Sequence, residues 1–546
     1  MRSARRATAL LAGLVAAALP GLAVMAASPG AADTAPPSRD VPATVSADAL
    51  PTVQVDGVVW SQAVAGDVVY AGGNFTTARP AGAAAGTKTV DRTNLLAFDI
   101  RTGVLVSSFA PALNGQVTAV AASADGKRVY VGGSFTTVDG QKRSRFAAFD
   151  TATGALVKAV APRFNSSVSA LAVSGSTVYV GGAFTTASGV ARARLAAVST
   201  VNGAVTKWAP GADASVSALV ATPDGKGVVV GGHFTQLAGE SAPGLGAVDA
   251  TTGESRAFEA NTVIKDSGVK SGITSLTTDG HLVYGTGYDF GGGNFEGTFA
   301  ADPSDGSIVW IEDCRGDTYA AAPAGDAIYT VSHAHDCSSS GGFPETNPRT
   351  WHRAAAFSTD AKGVVSNSST RWSPFAGRPA PQLLTWWPLL SAGTFTKQSQ
   401  AAWSVVATDD YVVLGGEFPK VNGKGQQGLV RFAVRSEAPN KSGPVDSGKA
   451  LGLTATAQSD GTVDLTWKQT WDRDNEQLTY TLVRVGVSAP LVSRTASSSF
   501  WELGTMKATD DATAPGSRSY RLSVKDPLGN TVKSALVTVT VPAPSA

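Results

Sequence analysis

The sequence predicts an all-β protein: a seven-bladed β-propeller followed by a β-sandwich. Three observations lead there. The phrase Val178-Tyr179-Val180-Gly181-Gly182-Ala183-Phe184-Thr185-Thr186 recurs with small edits at Gly72-Gly73-Asn74-Phe75, Gly132-Gly133-Ser134-Phe135, Gly231-Gly232-His233-Phe234 and Gly415-Gly416-Glu417-Phe418, and in degenerate form at Tyr284-Gly285-Thr286-Gly287-Tyr288-Asp289-Phe290. The first four copies are spaced 60, 49 and 50 residues apart. Each copy sits among four short β-branched runs separated by Gly, Asp and Ser turns, the pattern of a four-stranded antiparallel meander. One such sheet has two apolar faces and cannot bury both alone, so the units must stack, as propeller blades do.

Within a unit the elements follow in order. A first run such as Val168-Ser169-Ala170-Leu171-Ala172-Val173 precedes the repeated phrase, which forms the second strand. A third run, Arg194-Leu195-Ala196-Ala197-Val198 in the same unit, leads to a turn written Asp150-Thr151-Ala152-Thr153-Gly154 in the second unit and Asp249-Ala250-Thr251-Thr252-Gly253 in the fourth. The Asp is expected to accept hydrogen bonds from its own turn, with Gly in the left-handed position. A fourth run carries an aromatic or apolar residue: Phe109, Val160, Trp208, Phe258, Trp310 and Trp372.

Seven units result, at 57–110, 111–161, 162–209, 210–258, 259–312, 313–375 and 398–435. The last lacks a fourth strand. Leu50-Pro51-Thr52-Val53-Gln54-Val55 lies ahead of the first unit at the offset where that strand belongs, and is expected to complete the last blade and close the ring, which removes sheet edges.

Residues 1–32 read as a signal peptide: Arg2, Arg5 and Arg6, then an apolar stretch from Ala7 to Ala27 with small-residue cleavage options. No other segment is long and apolar enough to span a bilayer. The net charge is +1, and removing the three leader arginines leaves about −2, which gives no electrostatic footprint for nucleic acid. Residues 33–49 are rich in Ala, Pro, Ser and Asp and are expected to be a flexible lead-in. The linker 436–449 contains Pro439, Gly443 and Pro444. Beyond it, 450–543 alternates with period two at Val463-Asp464-Leu465-Thr466-Trp467, Leu478-Thr479-Tyr480-Thr481-Leu482 and Tyr520-Arg521-Leu522-Ser523-Val524, the pattern of a small β-sandwich.

The Gly-Gly-x-Phe units with their Asp-x-x-Thr-Gly turn resemble the delta-60 type of β-propeller repeat of secreted bacterial proteins, over about 50–435. The fifth and sixth units depart from it, with Tyr288-Asp289-Phe290 and Ser332-His333-Ala334-His335 in place of the repeat. Residues 450–543 resemble a fibronectin type III module through Trp467, Tyr480 and Tyr520 followed by Lys525-Asp526-Pro527-Leu528-Gly529-Asn530. Both folds host many functions, so function has to be read from a site.

Sites are expected where the repeat breaks its own pattern. Cys314 and Cys337 are the only cysteines in a chain that reads as exported, so a disulfide is expected between neighbouring blades, closing a loop worth on the order of 3 kcal/mol. His333 and His335, spaced i, i+2, would share a face of a strand; with Asp317 or Asp336 they have the chemistry of a zinc or copper site, or they line a loop and bond backbone. The second departure, 371–403, sets Pro374, Pro379, Pro381 and Pro388 among Trp386 and Trp387 and is too proline-rich to read as a plain strand. Exposed indoles there, joined by Trp351, would make a sugar-stacking platform; buried ones would be core between blades six and seven. The acidic run Asp472-Arg473-Asp474-Asn475-Glu476 sits in a strand-connecting loop of a type that can bind calcium, without the Gly and distal Glu of a known calcium loop.

No Gly-x-Ser-x-Gly elbow, phosphate loop or His-Glu-x-x-His helix is present. No cofactor is implied. The sequence therefore points to a secreted, non-catalytic binding or scaffold protein that engages carbohydrate or a cell-surface protein. The rival expectations are an extracellular glycan-active enzyme with its site on one propeller face, and a purely structural envelope protein.

Overall fold

The computed structural model describes residues 41–367, 373–511 and 514–543. The leader, and Trp372 in the fourth run of the sixth unit, lie outside them.

The second residue of each Gly-Gly pair marks where strand two crosses strand one at a bulge. In the second unit, a Cβ on Gly133 would lie 2.1 Å from the carbonyl oxygen of Gln116 on strand one. A Cβ on Gly132 would lie 2.4 Å from Val168 Cγ1 of the next sheet. The pair therefore serves two close approaches at once, one inside the sheet and one between sheets, and this is why the phrase recurs.

The result is seven antiparallel sheets of three or four strands, in chain order. Their first strands are Val58–Ala65, Val117–Ala122, Val168–Ser174, Val216–Ala221, Ser271–Thr278, Thr318–Ala324 and Ala402–Ala407. Each neighbours the next, and the seventh neighbours the first. Seven apolar clusters fill the gaps between successive sheets, including the gap between the seventh and the first. This is the arrangement of a β-propeller around one axis. The Asp-x-x-Thr-Gly turns form as expected: Asp99 Oδ1 accepts from the backbone N–H groups of Arg101 and Thr102 at 3.0 and 2.7 Å, and Gly103 has φ 71°.

The ring closes slightly earlier in the chain than the sequence reading placed it. Leu50 pairs with Arg431, and the Ser46 N–H donates to the Ala433 carbonyl at 2.8 Å. Gln54–Val55 instead pairs with Thr77–Arg79 of the first unit. The expected flexible lead-in is corrected over its described part. Val45 and Ala47 are buried in the cluster between the sixth and seventh sheets, and the Tyr329 hydroxyl accepts from the Val45 N–H. The buried Arg431 guanidinium donates to the carbonyls of Ile100, Arg101 and Pro51, which ties the last sheet to the first.

The proline-rich segment is also corrected in part. Pro379–Leu384 is a strand, paired with the long strand His352–Val364. It is the outer edge of the sixth sheet, where missing N–H donors cost least.

The C-terminal residues form two further sheets around one core. Trp467 and Leu465 from one sheet meet Tyr480, Leu482, Tyr520 and Leu522 from the other. Among the described residues no helix is long and apolar enough to cross a membrane.

Candidate functional site

The disulfide Cys314–Cys337 is present and joins the end of the fifth sheet to the sixth, as read from the sequence. The other expected site residues fare differently.

Trp386 and Trp387 are corrected: they are 0% and 6% exposed and offer no face to a sugar. Trp386 packs edge-on against Tyr329 and Phe432 at 4.9 and 5.3 Å. Trp387 is covered by the C-terminal sheets. Phe500 and Trp501 lie 5.1 and 5.7 Å from its ring, Phe343 lies 5.8 Å away, and the Trp387 backbone N–H donates to the Arg473 carbonyl. Trp351 stays 46% exposed, but the pair it was to extend is buried.

The acidic loop around Asp474 clasps the propeller. Its carboxylate accepts from the Ser46 hydroxyl and the Ala47 N–H at 2.9 and 2.6 Å, and Arg435 donates to Asn475 Oδ1 and the Asp474 carbonyl. Burial and the neighbouring Asp474 charge push the Asp472 carboxyl up.

The metal reading of His333, His335 and Asp317 is corrected too. The His333 ring meets Tyr319 and Gln400, whereas His335 Nδ1 faces Glu345 at 3.8 Å. His333 Nε2 stands 4.0 Å from Asp317 Oδ2, but among the described residues no third ligand atom joins them. Among the described residues only Glu312, Cys314 and Cys337 bring three such ligand atoms together, and both sulfurs are spent in the disulfide.

A different site emerges on the propeller axis. All seven first strands carry a β-bulge near their start, and the bulged residues are Trp60, Thr118, Ser169, Ser217, Thr274, Tyr319 and Trp403. A bulge turns its extra side chain out of the ladder, here into an axial cavity of about 240 Å³ that all seven line. Hydroxyls on this ring stitch neighbouring sheets. Thr118 donates to the Val168 carbonyl, Ser169 to Val216 and Thr274 to Thr318, at 2.8, 3.2 and 2.7 Å.

At the mouth a second cavity, of about 230 Å³, is lined by Trp60, Thr118, Ser217, His233, Thr274, Tyr288, Tyr319 and Trp403 among others. Trp60 meets Trp403 at 5.3 Å, and Trp403 meets Tyr319 at 4.4 Å. The indole N–H groups are anchored away from the cavity's aromatic faces. Trp60 donates to Gln116 and Trp403 to Glu417, at 3.1 and 3.2 Å.

The rim is one-sided. The residue after the Gly-Gly pair is exposed in the first three sheets (Asn74, Ser134, Ala183). At the same place the fourth to seventh sheets carry His233, Tyr288, His333 and Glu417, all partly or fully covered. His333 Nε2 accepts from the Asp317 N–H at 3.3 Å, and its Nδ1 faces both the Tyr319 hydroxyl and the Gln400 side-chain amide at 2.9 Å. That hydroxyl in turn faces Asp317 Oδ2. Burial pulls the His333 pKa down and keeps the ring neutral near pH 7. Burial, then the Glu296 charge, push the Asp317 carboxyl up to about 7. Burial likewise raises Glu296, and lifts Asp266 to about 8.

The sequence reading missed this ring because its members lie 45 or more residues apart for the most part and each is a single bulged residue. One signal was available. The column after Val59, Val117, Val168, Val216 and Ile273 reads Ser or Thr in four units, and is aromatic only at Trp60, Tyr319 and Trp403.

No protein-family model matches the chain, and no curated protein does. Solved structures give similarities at low identity. One is titled a crystal structure of the mitotic checkpoint complex: 12% identity, TM-score 0.41, covering 76% of this chain and 99% of that one. A second is the RRP9 WD40 repeats: 11%, 0.41, 72% and 99%. A third is the beta-propeller domain of Myceliophteria thermophila Cps50 (Swd1): 12%, 0.40, 70% and 99%.

Proposed function

We propose that this chain is an exported, non-catalytic binding protein that takes a carbohydrate unit at the mouth of its propeller axis. The reading treats the seven sheets as seven blades of a delta-60-type propeller, and the C-terminal sheets as a fibronectin type III-like sandwich docked on its flank. Export rests on the leader sequence and agrees with the disulfide.

The observation that carries the reading is the pair of indoles and the tyrosine around one small cavity. Trp60, Trp403 and Tyr319 present apolar ring surface beside the hydroxyls of Thr118, Ser217 and Thr274. A pyranose needs that combination: an aromatic face for its C–H surface and polar groups for its hydroxyls. The cavity falls below the ~300 Å³ at which pockets for drug-sized ligands begin, so it suits one ring of a larger chain.

The test is a glycan-array screen of the protein lacking its leader, beside a Trp60→Ala, Trp403→Ala double variant. Binding that vanishes in a folded double variant supports the reading. Binding retained in the double variant would remove the axis as the site.

A further inference from the structure

The carboxyl groups behind the aromatic mouth are the feature that sugar binding alone does not use. Glu417 holds the Trp403 N–H and accepts from the Thr396 N–H and hydroxyl. Asp317 lies behind Tyr319, 3% exposed, and its Oδ1 is buried with no hydrogen-bond partner. Asp289 follows the cavity-lining Tyr288 and accepts three backbone N–H groups from Gly291, Gly292 and Gly293. Glu296 accepts from the Gly316 N–H. Burial first, and then the neighbouring Asp317 and Asp266 carboxyls, raise the pKa of the Tyr288 hydroxyl.

The basic groups on this side are few. Arg353 acts on Tyr319 and His333, and its Nη2 reaches toward the Ser399 carbonyl. Arg315 acts on Glu296, and Arg349 is paired with Glu345. His333 is neutral near pH 7 for the reason given above. The mouth is thus lined by aromatic rings with an excess of carboxyl groups behind it, one of which has a buried oxygen without a donor.

We propose that the axial mouth recognises an organic ammonium group, held over the faces of Trp60, Trp403 and Tyr319 and drawn in by the carboxylates behind them. This rests on the reading of the mouth as the ligand site, and sharpens the ligand's class. A cation over aromatic faces gains from the ring quadrupole, most at Trp and most when it is removed from water. The ammonium can come from an amino sugar or from a choline-type headgroup, and the experiment separates the two.

Isothermal titration of the leaderless protein with glucosamine, glucose and tetramethylammonium, at matched ionic strength, is the test. Glucosamine is expected to bind at least ~10-fold more tightly than glucose, and tetramethylammonium is expected to compete with it. Tetramethylammonium affinity is expected to rise from pH 6 to pH 8 as Asp317 ionises, and Asp317→Asn should flatten that rise and lower the affinity. Trp403→Phe, which keeps a weaker aromatic face, should lose part of the affinity and Trp403→Ala most of it. Tetramethylammonium binding without glucosamine binding would assign the choline-type source and overturn the sugar reading alone. Equal affinity for glucose and glucosamine, with none for tetramethylammonium, would overturn this proposal and leave the sugar reading standing. No binding of any of the three would overturn both.

Discussion

Two pairs of tryptophans tell opposite stories. Trp386 and Trp387 are adjacent in sequence and conspicuous in a proline-rich stretch, yet both are buried. Trp60 and Trp403 lie at opposite ends of the propeller sequence and draw no notice, yet they meet at 5.3 Å and line the axial mouth. Local composition marks where the chain is unusual. Repeat register decides which unusual residue faces the axis, because a bulge in each first strand turns one side chain there. The sequence-adjacent pair is structural and the register pair faces open space.

The largest expected effect is on the structural pair. Trp386→Ala empties a fully buried site against Tyr329 and Phe432 and should cost about 3–5 kcal/mol, read as a large fall in Tm by calorimetry. Trp387→Ala should act differently. It removes the centre of the aromatic cluster with Phe500 and Trp501, so the C-terminal sheets should loosen from the propeller before the propeller melts. Limited proteolysis in 436–449 reads this directly, and an unchanged cleavage rate would contradict the docking role. By contrast, Trp60→Ala or Trp403→Ala should cost less, about 1 kcal/mol of stability, since both rings are only partly buried, while removing ligand binding.

The two regions should also answer pH with opposite signs. His352 stacks on Phe500 at 4.7 Å in the docking cluster, and burial pulls its pKa down to about 4. The unfolded chain then takes up a proton that the folded chain refuses, so stability should fall as pH drops from about 6.5 to 4, by on the order of 1–3 kcal/mol. His352→Phe should remove that loss. On the axial side, Asp266 is held protonated up to about pH 8 by burial, so the folded chain keeps a proton that the unfolded chain releases. Its stability contribution is lost as pH rises from about 4 to 8. Asp266→Asn should raise Tm at pH 8 to 9 and change it least near pH 4, with thermal melts across pH as the readout.

How much of this was legible depended on how local its cause is. The Gly-Gly phrase could be read because one residue pair answers both steric contacts, as Gly133 against Gln116 and Gly132 against Val168 show. The turn Asp99 and the disulfide were legible for the same reason: their partners are near in sequence or unique. The burial of Trp387 was not, because its cover comes from Trp471, Phe500 and Trp501, more than eighty residues further along the chain. The closing strand was read a few residues late, because Ser46 and Leu50 pair across the whole ring with Ala433 and Arg431, and only that register fixes the offset. The metal reading of His333 and His335 assumed that both rings would share one face of a regular strand. The strand shifts register between Val331 and Ala334, and the two rings find different partners.

The central claim is that ligand meets Trp60 and Trp403 and leaves Trp386 and Trp387 untouched. The most direct measurement follows the indole N–H resonances of the eleven tryptophans by NMR during titration with glucosamine, each assigned by single Trp→Phe substitution. The expected result is that the Trp60 and Trp403 signals move together along one saturable curve while those of Trp386 and Trp387 stay fixed. Movement of the Trp386, Trp387 or Trp351 signals with Trp60 and Trp403 unchanged would contradict the account and return the site to the flank of the propeller.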